Sequence, residues 1–304
     1  VSLAPLRWLS FVFLAPDRRV RPAWRALLFL FGYGALLTTG FTVLVVFTGP
    51  DWLAKDRELG LLANGFIGLA AGCLASAVFL AAFDRRSFRT LGLWFYKGWG
   101  RELGLGLAAG VGLLALVVAP LALAGRIEFL GPKTELPHAL RALAWALLLL
   151  IPNAANEEVL FRGYPFQRLV QSWGPLPPVL LLSGLFGAAH LGNPAATPIS
   201  TANTVVVGLL LALMYLKTRG LWLPIGFHFA WNFAMGFLFS LPVSGIVLER
   251  QPWSVAIAGP DWLSGGNYGP EGSVLTTGVI LVATVWLART RRLGVSPALA
   301  KELE

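Results

Sequence analysis

Eight apolar runs dominate this sequence, most of them near the ~20 residues needed to cross the hydrocarbon core of a bilayer. They occupy residues 24–48, 59–83, 103–124, 139–161, 177–190, 200–216, 221–241 and 274–288. A backbone in hydrocarbon must satisfy its N–H and C=O groups internally, so runs of this length are accommodated as helices packed on one another. The fifth run is short and the fourth carries charges. The expected fold class is all-α, a polytopic transmembrane helical bundle of about eight membrane helices. Composition supports this where it bears on solvent: 56% of the 304 residues are apolar and 13% charged. Soluble domains carry roughly 25% charged residues to coat their surface.

The basic residues test the same reading. Counted over alternate connections, 18 of the 24 Lys and Arg fall on one side of the membrane, from Arg7, Arg18 and Arg19 through Arg85, Arg89 and Lys97 to Arg289, Arg292 and Lys301. Lys55, Arg57, Arg126, Lys133, Arg141 and Arg250 fall on the other. Because Lys and Arg accumulate in cytoplasmic loops, both termini are expected in the cytoplasm. Low cysteine and abundant Leu, Ala, Gly and Arg favour a bacterial inner membrane. The net charge of +9 is thus accounted for by topology, and with no basic helix or aromatic-interleaved basic patch no nucleic-acid partner is expected. Residues 8–15 read as an interfacial segment rather than a cleavable signal, since Pro16, Asp17 and Arg18 follow them. The single Cys73 permits neither an intramolecular disulfide nor a cysteine-based zinc site. Gly-Leu-Ala-Ala-Gly occurs at 68–72 and again at 106–110, and two glycines four apart read as close helix packing. The loop at 242–273, rich in Gly-Pro, Gly-Gly and Trp, reads as an irregular surface loop and a candidate lid.

Ionisable residues inside spans are costly and mark function by default. They concentrate at Glu157, Glu158 and Arg162. Four residues apart, Glu158 and Arg162 share a helix face and can pair. Glu157 points elsewhere, on the face that carries Asn153, while Pro152 is expected to kink the helix. Glu158 would be held ionised by Arg162, leaving Glu157 free to take a proton as a general base. His190 follows Phe186 by one turn, and His228 precedes Asn232 by one turn. His138, beside Pro137 at the start of a run, reads as interfacial. Ser183, seven residues before His190, lies too far along a straight helix for a Ser–His pair.

The motifs Glu157-Glu158-x-x-x-Arg162, Phe186-x-x-x-His190 and His228-x-x-x-Asn232, in that order on predicted membrane helices, resemble those of the CAAX-protease and bacteriocin-processing family of intramembrane endopeptidases. The likeness covers about 100 residues and divides the chain into an N-terminal interfacial segment with three membrane helices (1–138), a protease core (139–237) and a loop, last membrane helix and tail (238–304). The resemblance implies a catalytic set of Glu157, Glu158, Arg162, His190, His228 and Asn232. Glu157 and His190 would activate a water, and His228 and Asn232 would stabilise the oxyanion. It implies membrane lipid and a peptide or protein as partners: a prenylated CAAX peptide, a bacteriocin leader or another membrane protein. The family has been described both as metal-independent glutamate proteases and as metalloproteases. The expectation here is that no cofactor is required, with Glu157, His190 and His228 the candidate ligands if zinc is used, three protein ligands and one open position. Two other classes compete: a non-proteolytic adaptor on the same fold, which the full set of motif residues disfavours, and an ion-coupled transporter, which would show related halves.

Overall fold

The computed structural model describes residues 12–15, 19–51, 56–133 and 135–304. Arg7, Arg18, Lys55 and the first residues of the 8–15 segment lie outside the described residues. All eight expected runs are helical. The helices are α1 (Pro22–Thr48), α2 (Arg57–Phe79, prolonged by a π-helical turn Leu80–Asp84), α3 (Trp99–Leu123) and α4 (Leu136–Arg162). They continue as α5 (Tyr164–Trp173), α6 (Leu176–Ala189), α7 (Pro198–Thr218) and α8 (Trp222–Phe233, prolonged by a π-helical turn Ala234–Leu238). Short α9 (Asp261–Ser264), apolar α10 (Val274–Arg289) and C-terminal α11 (Pro297–Leu303) complete the set.

Among the described residues five helical stretches, α1, α2 with its π turn, α3, α4 with α5, and α7, are long and apolar enough to cross a membrane. The 14 residues of α6 extend only ~21 Å at 1.5 Å per residue, which is why its apolar run is short. The outward faces carry Phe31, Val46, Phe47 and Leu123, each more than 70% exposed. Large apolar side chains left in the open at this density are stable only against lipid. The protein is an integral membrane helical bundle.

The duplicated glycine motif does what its spacing predicts. A Cβ at Gly106 would collide with the Leu223 carbonyl and one at Gly110 with the Phe227 carbonyl, so α3 lies against the backbone of α8. At Gly68 and Gly72 the neighbours are Asn156 and Val159 of α4. These two close approaches set α8 and α4, the helices bearing His228 and Glu157, against α3 and α2. Pro152 sits inside an unbroken α4.

Contacts between distant segments sort the basic residues into two ends. At one, Asp84 accepts from Arg25 (2.6 Å) and Arg168 (2.7 Å), Lys217 donates to the Thr290 carbonyl, and Arg86 donates to the Leu303 carbonyl. At the other, strands β1 (Ile127–Pro132) and β2 (Trp253–Ile257) form an antiparallel pair, Ile127 opposite Ile257 and Pro132 opposite Trp253. This ribbon departs from the irregular loop that composition suggested. Arg250 at this end pairs with Glu58.

Candidate active site

Three separate stretches of chain converge on one cavity of about 430 Å³ between the helices. Its wall carries Glu157 from α4, His190 from the end of α6, and His228 and Asn232 from α8. Glu158 and Arg162 stand behind that wall, 0% and 1% exposed. The six residues singled out from sequence are thus split between a lining and its support.

The support is a connected chain of contacts. Arg162 Nη1 donates to Glu158 Oε1 at 3.1 Å, the expected pair one turn apart. Its Nη2 donates to the Gly208 carbonyl at 3.1 Å, which ties α4 to α7. Gly208 leaves just enough room there for Ser183 of α6, whose Cα and Cβ would lie 3.0 Å from an added Cβ. Ser183 is therefore a packing residue at a helix crossing, outside the cavity lining. The same Glu158 oxygen accepts from His228 Nδ1 at 2.8 Å. One buried carboxylate thereby holds both the guanidinium and the imidazole, and a charge so buried is tolerable only with such partners.

Each histidine has its ring orientation set by what touches Nδ1. His190 Nδ1 lies 2.8 Å from the Phe186 carbonyl; a carbonyl can only accept, so Nδ1 carries the proton and Nε2 is the basic nitrogen when the ring is neutral. His228 Nδ1 donates to Glu158, and its Nε2 is 3.8 Å from Glu157 Oε2, beyond hydrogen-bond range. Glu157 Oε2 makes no hydrogen bond among the described residues. Asn232 also leaves its carboxamide uncommitted among the described residues.

Phe186 stands beside both histidines. Its ring lies 4.8 Å from that of His190 and 6.0 Å from that of His228, centre to centre, with the Arg162 guanidinium over it at 4.6 Å. In the sequence Phe186 was only the first letter of a motif; here its carbonyl and its ring both serve the site.

The loop at 242–273 contributes a wall that sequence reasoning left unassigned. Val243, Ser244, Ile246, Leu248 and Glu271 line the cavity. Glu271 accepts from Trp231 Nε1 at 3.0 Å and, through its other oxygen, from the Ser244 amide and hydroxyl, both at 2.7 Å. Asn193 Nδ2, three residues beyond His190, donates to the Ser244 carbonyl at 3.1 Å. The far end of the loop is held by Glu58, which is 2% exposed and accepts from the Glu249 amide (2.7 Å), Trp145 (2.6 Å) and Arg250 (3.3 Å). A lone carboxylate between Pro270 and Gly272 was the available signal for Glu271. For Glu58 the signal was a charge in the first turn of an apolar helix. His138 is exposed and belongs to no site.

No three His, Cys, Asp or Glu side chains among the described residues converge closely enough to hold a metal ion.

Comparison with curated proteins and with solved structures returned no match to the chain. Residues 139–234 match the family described as Type II CAAX prenyl endopeptidase Rce1-like. That segment runs from Ala139, near the start of α4, through α8 to the start of the second π turn, and holds every one of the six residues above. Over that segment the chain is similar to the CAAX-protease family of intramembrane endopeptidases.

Proposed function

We propose that this protein hydrolyses peptide bonds of membrane-associated or prenylated, CAAX-like substrates with a water activated by Glu157 and His190. The observation that supports this most is the meeting of Glu157, His190, His228 and Asn232, from helices up to 75 positions apart in sequence, on the wall of one cavity. Water attack needs a base, a polarising partner and an oxyanion cradle, and these four residues offer all three.

On this reading Glu157 takes one proton of the water as its oxygen bonds to the scissile carbonyl carbon, and His190 Nε2 accepts a hydrogen bond from the other. The carbonyl oxygen becomes an oxyanion that accepts from Asn232 Nδ2 and from the Nε2–H of a doubly protonated His228, whose Nδ1–H rests on Glu158. Collapse of the tetrahedral intermediate breaks the C–N bond, and the proton held by Glu157 passes to the leaving nitrogen. One such oxyanion donor is typically worth ~3 kcal/mol in the transition state. No covalent intermediate forms. The protein sits in a bacterial inner membrane with both termini cytoplasmic and needs no resident metal.

The test is a cleavage-site screen with purified wild-type protein and Glu157→Ala against prenylated CAAX-type peptides, leader peptides and membrane-protein segments. Products are read by mass spectrometry. One peptide class is expected to be cut by the wild type and not by the variant, with chelators and with serine- and cysteine-directed reagents leaving the rate unchanged. Undiminished cutting by Glu157→Ala would remove Glu157 from the reaction. Loss of activity to chelators with recovery on adding zinc would assign the site a metal.

A further inference from the structure

Asparagine occurs at seven positions in this chain: 64, 153, 156, 193, 203, 232 and 267. All except Asn267 line the cavity, although only 28 of the 304 residues do so. By that share fewer than one of the seven would fall there by chance. Carboxamides are costly in a membrane interior unless each finds a partner, so the concentration calls for an account.

Three of the six are committed to the fold. Asn193 Nδ2 donates to the Ser244 carbonyl. Asn203 donates to the Glu271 and Ser273 carbonyls and accepts from Thr277 Oγ1. Asn153 Nδ2 donates to the carbonyls of Leu61 (2.9 Å) and Leu149 (2.8 Å). The other three retain capacity. Asn232 is used above for the oxyanion. Asn156 accepts from the Tyr33 hydroxyl at 3.2 Å and has no acceptor for its Nδ2 among the described residues. Asn64 of α2 makes one long hydrogen bond, Nδ2 to Asn153 Oδ1 at 3.4 Å, and its own Oδ1 has no partner among the described residues.

A carboxamide offers what a peptide group offers, a carbonyl and N–H donors, and its natural complement in a dry site is another amide. Peptide groups facing one side of an extended chain recur every two residues, ~6.8 Å apart. Asn153 and Glu157 are four residues apart on one helix face, ~6 Å along its axis. A substrate whose scissile carbonyl sits at Glu157 therefore brings its next same-facing peptide group level with Asn153, where Asn64 reaches across from α2.

Resting on the endopeptidase reading above, we propose that Asn64, steadied by Asn153, is a substrate-binding residue. Its Oδ1 accepts the main-chain N–H two residues from the scissile bond and replaces the water that this group loses on entering the membrane. Recognition at that position is then of backbone, and side-chain identity there has little effect on binding.

The experiment is a backbone-ester cycle. A fluorescent farnesylated peptide ending in a cysteine and three further residues is prepared as the parent amide and as a series with one main-chain N–H at a time replaced by an ester oxygen. Binding is measured by anisotropy to Glu157→Ala protein, which leaves the peptide uncut, with and without Asn64→Leu. One ester, two residues from the cleaved bond, is expected to weaken binding roughly fivefold with Asn64 present, the effect of one net hydrogen bond, and less than twofold in Asn64→Leu. The ratio is taken within each protein, so a smaller folded fraction in Asn64→Leu cancels; Asn64→Ala provides a second variant. An equal ester penalty with and without Asn64, or none at any position, would overturn the proposal and leave these amides as holders of cavity water. If the wild type neither binds nor cuts the parent peptide or any peptide of the screen, the endopeptidase reading falls and takes this proposal with it. Cleavage by the wild type without Asn64-dependent ester sensitivity sinks this proposal alone.

Discussion

Adjacent glutamates have different work because a helix turns 100° per residue. Glu158 faces inward to Arg162 and His228, whereas the side chain of Glu157 is 31% exposed in the cavity. Removing the charge from Glu158 strands a buried guanidinium and an imidazole, and breaking a buried ion pair in this way costs ~3–5 kcal/mol, a large part of a typical stability. Glu157→Gln removes a carboxylate that anchors nothing. Thermal unfolding in detergent is thus expected to show Glu158→Gln well below wild type and Glu157→Gln close to it, with proteolysis lost in Glu157→Gln from a well-folded protein. Equal destabilisation of the two would end this division of labour. The pairing of Glu158 with Arg162 was legible in the sequence, since both partners lie on one helix. The grip of Glu158 on His228 was not, because it spans 70 positions.

Among the elements, α3 and α8 make the tightest approach, backbone against backbone across Gly106 and Gly110. An added Cβ at Gly110 would lie 2.5 Å from the Phe227 carbonyl, whereas one at Gly112, two residues on, meets nothing within 4 Å. Backbone cannot swing aside as a side chain can, so Gly110→Leu must push α8 away and carry His228 and Asn232 with it. Overpacking of this kind costs roughly 1–3 kcal/mol. The expected outcome is a lowered unfolding temperature and loss of activity in Gly110→Leu, with Gly112→Leu close to wild type on both measures. Comparable damage at the two sites would mean that α3 does not set the position of α8. The repeated pentapeptide announced close packing, but which helix each copy meets depends on the three-dimensional arrangement.

Over the whole molecule, the uneven division of Lys and Arg predicts which loops share a side of the membrane. The segment at 85–97 touches the C-terminal residues through Arg89–Glu302 (3.2 Å) and Ser296 Oγ donating to the Lys97 carbonyl (2.6 Å). Lys133 donates its amide to the Pro252 carbonyl at the other end. With Cys73, the chain's only cysteine, replaced by alanine, Arg89→Cys and Arg292→Cys are expected to react with an impermeant maleimide in inside-out vesicles. Lys133→Cys should react in right-side-out ones. Labelling of positions 89 and 133 from the same face would break the two-sided arrangement; a clean reversal would invert the orientation alone.

What the sequence determined by itself follows from the solvent. Hydrocarbon tolerates only long apolar helices and penalises every charge placed within them, so the apolar runs and the identities of Glu157, Glu158, Arg162, His190, His228 and Asn232 stood out against a uniform background. Helical periodicity then related residues one turn apart, which is as far as it reaches. The tertiary structure decided whatever depends on how helices cross and where loops return. It brought the three motifs to one cavity, gave Phe186 a hold on both histidines, and turned Glu271 and Glu58 into anchors of the loop over the site. It also gathered six scattered asparagines around one space. Those partners are joined by hydrogen bonds between segments without common period, and such bonds come into being only once glycine contacts and apolar packing have set the helices side by side.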